Sequence, residues 1–334
     1  MVKKIITWDL GATKCAAALV EYDDQGQRFL SKKQGIVKIR SVNSLEELTA
    51  HLENILDIPM TEVDSICIGA AGQYDGEHLH LYKYPYSMGF AKLASQKNWP
   101  PFAVIHDYSS IVCATFTPYV EQYENVRRLN DAEMNPYGRR VALGIGTGIG
   151  MKDGILFSNG DFWLGTNEVG HIGVVTPPLA DKIFQKRHEE LLKFLRSEKI
   201  LTDDEPLTFE KLLADQGMAR IHAFFDRSAQ HKNAEEVGEL VRQGKANETL
   251  ATFAWYVGLL VGTIQLTFMP DGGIWLTGGV ILNHQELFDR PEFFQGIIAS
   301  PEFLDLRMQF PLGLLCGTDH AFVGGAYYAS KRLL

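Results

Sequence analysis

The chain has 334 residues, 32 Lys+Arg against 41 Asp+Glu, 46% hydrophobic content and 11% aromatics. That length predicts two domains or one large α/β unit, and the composition excludes intrinsic disorder. A net charge of −9 leaves no basic face for DNA or RNA, so no nucleic-acid partner is expected.

In chain order, residues 3–8 predict a strand, Asp9-Leu10-Gly11-Ala12-Thr13 a turn, and 15–21 a second strand, together a hairpin with a glycine at its tip. A turn at 23–26 leads to more strand. Residues 44–56 predict a helix capped by Ser44, with Glu46 and Glu47 in its first turn. Residues 63–70 predict a buried strand, 102–105 a short strand ending at His106-Asp107, and 108–116 a helix. The polar stretch 118–140 predicts a boundary or surface insertion. A strand at 140–145 runs into the glycine-rich 144–150, with a turn at Lys152-Asp153-Gly154 and a further strand at 155–158. Residues 180–230 and 233–250 predict helices. A strand at 274–276 ends in Thr277-Gly278-Gly279, and the last helix begins near Asp319. A Gly/Thr-tipped hairpin near the start of each half, at 5–21 and 141–158, suggests two related α/β halves.

Leu250 to Met269 carries no charge over a membrane-length span. Thr252, Tyr256, Thr263, Gln265, Thr267 and two glycines interrupt it, and no Lys/Arg cluster flanks it, so it predicts a buried central helix and no membrane partner. The N-terminal run to Asp9 is too short for a signal peptide. Cys15, Cys67, Cys113 and Cys316 stand far apart with no CxxC pair, which fits a reducing cytoplasm and no structural zinc.

Familiar nucleotide motifs fail. GxxxxGK[ST] is absent, and the 144–150 run has Ile149 at the third glycine position of a dinucleotide fingerprint with no helix after it. Both tips instead suit phosphate: Gly11, Ala12 and Thr13 in the first, and Gly146, Thr147 and Gly148 in the second, offer backbone N–H groups and a hydroxyl. Each alone fits a plain hairpin turn equally well. Together with Thr277-Gly278-Gly279 they point to a polyphosphate. Asp9 suits Mg²⁺ held through water, or a turn Asp bonded to its own backbone. Asp107 reads as a helix N-cap or as a general base over a substrate hydroxyl. Glu168-Val169-Gly170-His171 has Glu-x-x-His spacing, but the glycines around it argue against a di-iron helix. A loop pair for sugar hydroxyls, or a plain surface loop, remains. His188-Glu189-Glu190 has Leu192 where a zincin needs its second His, so it reads as a solvated helix face.

The ordered set Asp9-Leu10-Gly11-Ala12-Thr13, Ile105-His106-Asp107-Tyr108, Gly144 to Gly150, Glu168-Val169-Gly170-His171 and Leu276-Thr277-Gly278-Gly279 resembles the bacterial glucokinase family. That family belongs to the actin/hexokinase/Hsp70-like superfamily. The related repressor/open-reading-frame/kinase sugar kinases usually carry a Cys-rich zinc motif after the Glu-x-x-His. This chain has no cysteine between 113 and 316, so it resembles the zinc-free branch.

The resemblance implies two ribonuclease-H-like, actin-like α/β domains with a ligand cleft between them. The small domain would be 1–107, completed by a C-terminal helix at about 319–334, and the large domain 108–318. It further implies ATP-dependent phosphorylation of a hexose 6-hydroxyl, with Asp107 as base and His106, Asp107, Glu168, His171 and Glu210 around the sugar. The two tips with Asp9 and Mg²⁺ would hold the phosphates, and Gly278-Gly279 would border the adenosine. Relatives are often homodimers. The family usually has Asn where this chain has His106, and Tyr82-Lys83-Tyr84-Pro85-Tyr86 replaces a usual Thr-Asn-His-Pro-Trp-like stretch. A kinase for another hexose or an amino or N-acetyl sugar therefore stays open. So does a sugar-sensing regulator of the same fold, although a first strand beginning at Lys3 leaves no room before it for a DNA-binding domain.

Overall fold

The computed structural model describes residues 2–23, 28–81, 87–175, 182–229 and 232–334. The chain divides into two compact units: 1–126 with 152–164 and 315–334, and 127–151 with 165–314. These bounds follow from packing within each unit; the sequence reading divides the chain as 1–107 completed by a helix at about 319–334, and 108–318.

The chain opens with β1 (Val2–Leu10) and β2 (Lys14–Asp23), an antiparallel hairpin that pairs Ile5 with Val20 and Trp8 with Ala17. β3 (Arg28–Lys38) extends the ribbon. α1 (Leu45–Leu56) starts where the Ser44 hydroxyl accepts the Glu47 N–H at 3.1 Å, with Glu46 and Glu47 against the positive end of the helix. β4 (Ser65–Ala70), buried along its whole length, lies parallel to β1. β5 (Gly72–Tyr74), β6 (Leu79–Leu81) and β7 (Ser87–Met88) make a small antiparallel sheet, followed by α2 (Phe90–Lys97). β8 (Phe102–His106) then joins the far side of β4 and leads directly into α3 (Asp107–Ala114). The resulting order is β3-β2-β1-β4-β8.

Strand periodicity explains the layers of this unit. Ile6, Trp8 and Leu10 of β1 point into one cluster with Leu48 and Leu52 of α1 and Phe90 of α2. The alternate residue Ile5 joins Ala18 and Val20 in a second cluster, where Phe322, Ala326 and Ala329 of the C-terminal helix cover the other face.

After β9 (Val126–Arg128), β10 (Arg139–Ile145) and β11 (Ile149–Leu156) form the second hairpin, followed by β12 (Phe162–Leu164). α4 (Lys182–Ser197), α5 (Phe209–Leu213), α6 (Gly217–Phe225) and α7 (Ala234–Arg242) precede the long α8 (Asn247–Phe268). β13 (Ile274–Thr277) is followed by α9 (Gly279–Asn283), α10 (Pro291–Ile298), α11 (Leu304–Arg307), β14 (Leu312–Leu315) and α12 (His320–Arg332). The second sheet has the order β12-β11-β10-β13-β14-β9, so its first five strands repeat the connectivity of the first sheet. In the second unit α8 is the apolar centre, buried from Thr249 to Gly262, with Trp255 stacked on Phe184 at 4.9 Å. It is the one helix among the described residues long and apolar enough to cross a membrane, and its length is spent on this packing instead.

Two sequence expectations need correction. Lys152-Asp153-Gly154 is no turn, because β11 runs straight through it with Lys152 and Asp153 both buried. The stretch 118–140 is not wholly irregular, because it supplies β9 at the sheet edge. The expected turn at 23–26 falls mostly outside the described residues.

Candidate active site

The first unit gathers acidic chemistry at the carboxyl ends of three neighbouring strands, where open α/β sheets place their ligands. Asp9, next to last in β1, lies opposite Gly69 of β4, which in turn lies opposite Ile105 of β8. Gly69 keeps this place narrow, since a side chain on it would strike the Ser110 hydroxyl. Asp9 is only partly exposed, and its carboxyl is pushed up to about 6 by lost solvation, then by the nearby Asp107 charge, with Lys14 pulling the other way. Lys14, exposed at the start of β2, was not singled out in the sequence. Its place directly after Thr13 in the tip is the signal that could have found it.

Asp107 is the first residue of α3, and His106 rather than Asp107 is the N-cap. The Tyr108 N–H donates to Asp107 Oδ1 at 2.9 Å, and His106 Nδ1 stands 2.8 Å from the same oxygen. The Tyr108 N–H also donates to His106 Nδ1 at 3.2 Å, so this one N–H is shared between the ring nitrogen and Asp107 Oδ1. Oδ1 thus holds the Tyr108 N–H. Among the described residues no donor meets Oδ2, the oxygen left to accept a proton. Burial, then the charges of Asp107 and Asp9, push the Tyr108 phenol up, so it stays protonated beside them.

In the first tip, Gly11, Ala12 and Thr13 join β1 to β2, tied by the Gly11 N–H to the Lys14 carbonyl at 3.0 Å and by the Ile39 N–H to the Thr13 carbonyl at 3.0 Å. The carboxylate excess beside it, opposed by one lysine, suits a hydrated divalent cation. Magnesium needs only one or two protein carboxylates, since water and phosphate fill its remaining positions. The described residues contain no group of three or more metal-binding side chains, and this donor set needs none.

The second unit assembles the remaining candidates around one carboxylate. Gly146, Thr147 and Gly148 turn β10 into β11, with the Gly146 N–H on the Gly148 carbonyl at 2.9 Å and the Asp215 N–H on the Gly146 carbonyl at 2.8 Å. Glu210, on α5 behind its Thr208 cap, accepts the Ile149 N–H on Oε2 at 3.0 Å. The same oxygen borders Gly148 and Gly170, so the tip, the Glu168–His171 turn and α5 are held together. Glu168 and His171 themselves are exposed at the ends of that turn, with the His171 N–H on the Glu168 carbonyl at 3.1 Å. Gly278 has φ of 99° and leaves no room for a Cβ, which would collide with the Ile145 backbone; Gly279 N faces Gly146. An apolar cavity of about 330 Å³, lined by Ile172, Gly173, Phe209 and Leu259 among others, borders the same turn and helix. The altered stretch 82–86 lies outside the described residues.

Paired hairpin-led sheets, a free carboxylate oxygen at a strand end and glycine turns rich in backbone N–H define a kinase-like chain of the actin-type α/β fold. The sequence description of the glucokinase family, named Glucokinase, matches residues 6–332. The chain belongs to the glucokinase family. A glucokinase of Saccharophagus degradans is 23% identical over 334 residues, covering 98% of each chain. Among solved structures, a glucokinase from an Antarctic psychrotroph superposes with a TM-score of 0.82 at 18% identity, covering 99% of both chains. A ROK family glucokinase from Streptomyces griseus, in complex with glucose and AMPPNP, has a TM-score of 0.53 at 18% identity, covering 98% of this chain and 99% of its own.

Proposed function

We propose that this glucokinase-type hexose kinase uses ATP to phosphorylate the 6-hydroxyl of glucose, with Asp107 as the general base. The observation that carries the reading is the Asp107 carboxylate at a strand end, with Oδ1 held by the Tyr108 N–H and Oδ2 open. Oδ2 takes the hydroxyl proton as the sugar oxygen forms its bond to the γ-phosphorus and the bond from that phosphorus to the ADP oxygen breaks. Such transfer depends on alignment and charge stabilisation more than on covalent chemistry, so a site without a nucleophilic side chain is adequate.

The other roles follow from donor type. Glu168, His171 and Glu210, with His106, hold sugar hydroxyls; Glu210 keeps Oε1 for this while Oε2 anchors the second tip. Backbone N–H groups of residues 11–13 and 146–148 meet phosphate oxygens, and Gly278-Gly279 leaves a surface without side chains for the adenosine. Asp9 would hold Mg²⁺ through water. When bound, the ion neutralises phosphate charge. The support for ATP and glucose is family membership together with the glucose and AMPPNP complex of the Streptomyces griseus relative. A cytoplasmic enzyme feeding glycolysis, working as a homodimer, is the setting this reading carries.

His106, standing where the family usually has Asn, favours one second reading: another hexose or an amino or N-acetyl sugar as preferred substrate. A coupled ADP-release assay over a hexose panel separates the two. Highest kcat/KM with glucose supports the proposal, and a better amino or N-acetyl sugar selects the second reading. Sugar binding without ADP release contradicts both.

A further inference from the structure

The face of the first sheet that carries Asp9 continues sideways into two lysines. Asp9 of β1 lies opposite Ala16 of β2, and Lys14 stands two residues nearer the tip, so strand alternation puts all three side chains on one face. Lys14 in turn lies opposite Lys38 of β3, on that same face. The Lys14 ammonium is near enough to Asp9 for its charge to hold the Asp9 carboxyl down against the effect of burial. The bond from the Ile39 N–H to the Thr13 carbonyl, at 3.0 Å, ties the end of β3 to the tip. Both lysines are exposed.

Such a pair costs stability, because directly opposed side chains on an antiparallel ribbon have Cβ atoms about 5 Å apart, where like charges repel. Other lysines of this sheet are neutralised: Lys3 by Asp64 at 2.9 Å, Lys32 by Glu21 at 3.1 Å and Lys33 by Asp57 at 2.8 Å. Among the described residues, neither Lys14 nor Lys38 has a carboxylate within ion-pairing distance. In a chain of net charge −9, two open ammonium groups beside a phosphate-type tip suit an anion from outside. The strand order β3-β2-β1-β4-β8 ranks the charged groups as Lys38, Lys14, Asp9 and then Asp107, which follows β8 directly.

We propose that Lys14 and Lys38 form a cationic shelf for the phosphate chain of the phosphoryl donor, a nucleoside triphosphate. The shelf works only if the first tip meets phosphate, as proposed above. With the base at the Asp107 end of the row, the attacking sugar oxygen belongs there, and the leaving oxygens of the donor belong toward the lysines. Two ammonium groups on that side offset the charge that gathers on ADP as its bond to the γ-phosphorus breaks. Lysine suits the task, being a compact point charge with three rotatable donors.

Inorganic tripolyphosphate has the phosphate chain without the nucleoside, and calorimetry reads its binding to the full chain without turnover. Combining Lys14→Gln with Lys38→Gln should weaken that binding about tenfold or more and flatten its dependence on salt. The same double variant should raise KM for ATP about tenfold and leave sugar affinity within about twofold. Combining Lys14→Arg with Lys38→Arg keeps both charges and should hold the ATP KM within about threefold of wild type. Because like-charge repulsion is relieved, the glutamine variant should melt no lower than wild type. A lower melting point means that the lysines already have partners, and overturns the proposal. Wild-type tripolyphosphate affinity and ATP KM in the folded glutamine variant overturn the shelf alone. No tripolyphosphate binding by the wild-type chain overturns the phosphate reading of the tip, and the shelf with it. A change confined to inhibition by the phosphorylated sugar product assigns the lysines to the sugar phosphate and equally overturns the proposal.

Discussion

The two glycine turns occupy the same place in their sheets, each joining the first antiparallel pair, yet they are built differently. The first, at 11–13, is held at its ends, and the nearest atom a Cβ on Gly11 would meet is the Lys14 carbonyl oxygen, at an ordinary 3.7 Å. Its neighbourhood is charged, with Asp9 shifted up to about 6. The second, at 146–148, is clasped by the Asp215 N–H, the Glu210 carboxylate and the close passage of Gly278. Charge chemistry sits beside the loosely packed turn, and shape sits in the tightly packed one. Substitutions at the first should change turnover more than stability, and those at the second should do the reverse.

The largest effect on the fold is expected from Gly278→Ala. A Cβ there meets the Ile145 backbone at a positive φ, so neither rotamer nor small shift relieves it. Thermal denaturation should show a loss of about 3 kcal/mol or more, or no folded second unit. A near-wild-type melting curve would mean the turn is not clasped as described.

Asp9→Asn should split the two properties. Loss of its charge is expected to lower kcat about a hundredfold while raising stability. A carboxyl whose folded value lies above its unfolded value near 3.8 destabilises the fold when ionised. That penalty is absent below about pH 4, grows as pH rises through about 6, and reaches at most about 3 kcal/mol. The melting-temperature gain of Asp9→Asn over wild type should therefore widen from pH 4 to pH 7 and stay flat above. A gain that shrinks with rising pH would contradict the burial of this charge.

Much of this arrangement could be read from residues, and the failures have physical causes. The hairpins were legible because alternating apolar residues flank a glycine tip, as in 3–8 and 15–21. The connectivity that repeats across both sheets follows from them. Lys152-Asp153-Gly154 misled because that triplet suits a turn when judged locally, whereas both charged residues are buried within β11. β9 was missed because three residues in a polar stretch carry no period. Asp107 was found as a strand-end acid, but its contact with His106 could not be read, since neighbours in a sequence need not touch. The Glu210 bond to Ile149 spans 61 residues and has no local signature at all.

Smaller effects sharpen the contrast between the turns. Glu210→Gln keeps an acceptor for the Ile149 N–H but removes its charge assistance, so stability should fall by about 1 kcal/mol and sugar KM should rise. Urea titration and sugar kinetics on the same preparation check both. Gly11→Ala is expected to move the melting midpoint least, within about 1 kcal/mol either way, because the site is open and its φ is not positive. A severe loss there would erase the distinction between a loose and a clasped turn.

The central claim is that Oδ2 of Asp107 accepts the proton. The most direct measurement is kcat for Asp107→Asn beside sugar affinity by calorimetry. A fall in kcat of about 10²–10⁴-fold, with sugar affinity reduced only modestly, is the expected result. Turnover at the wild-type rate in a variant that binds sugar normally would contradict it.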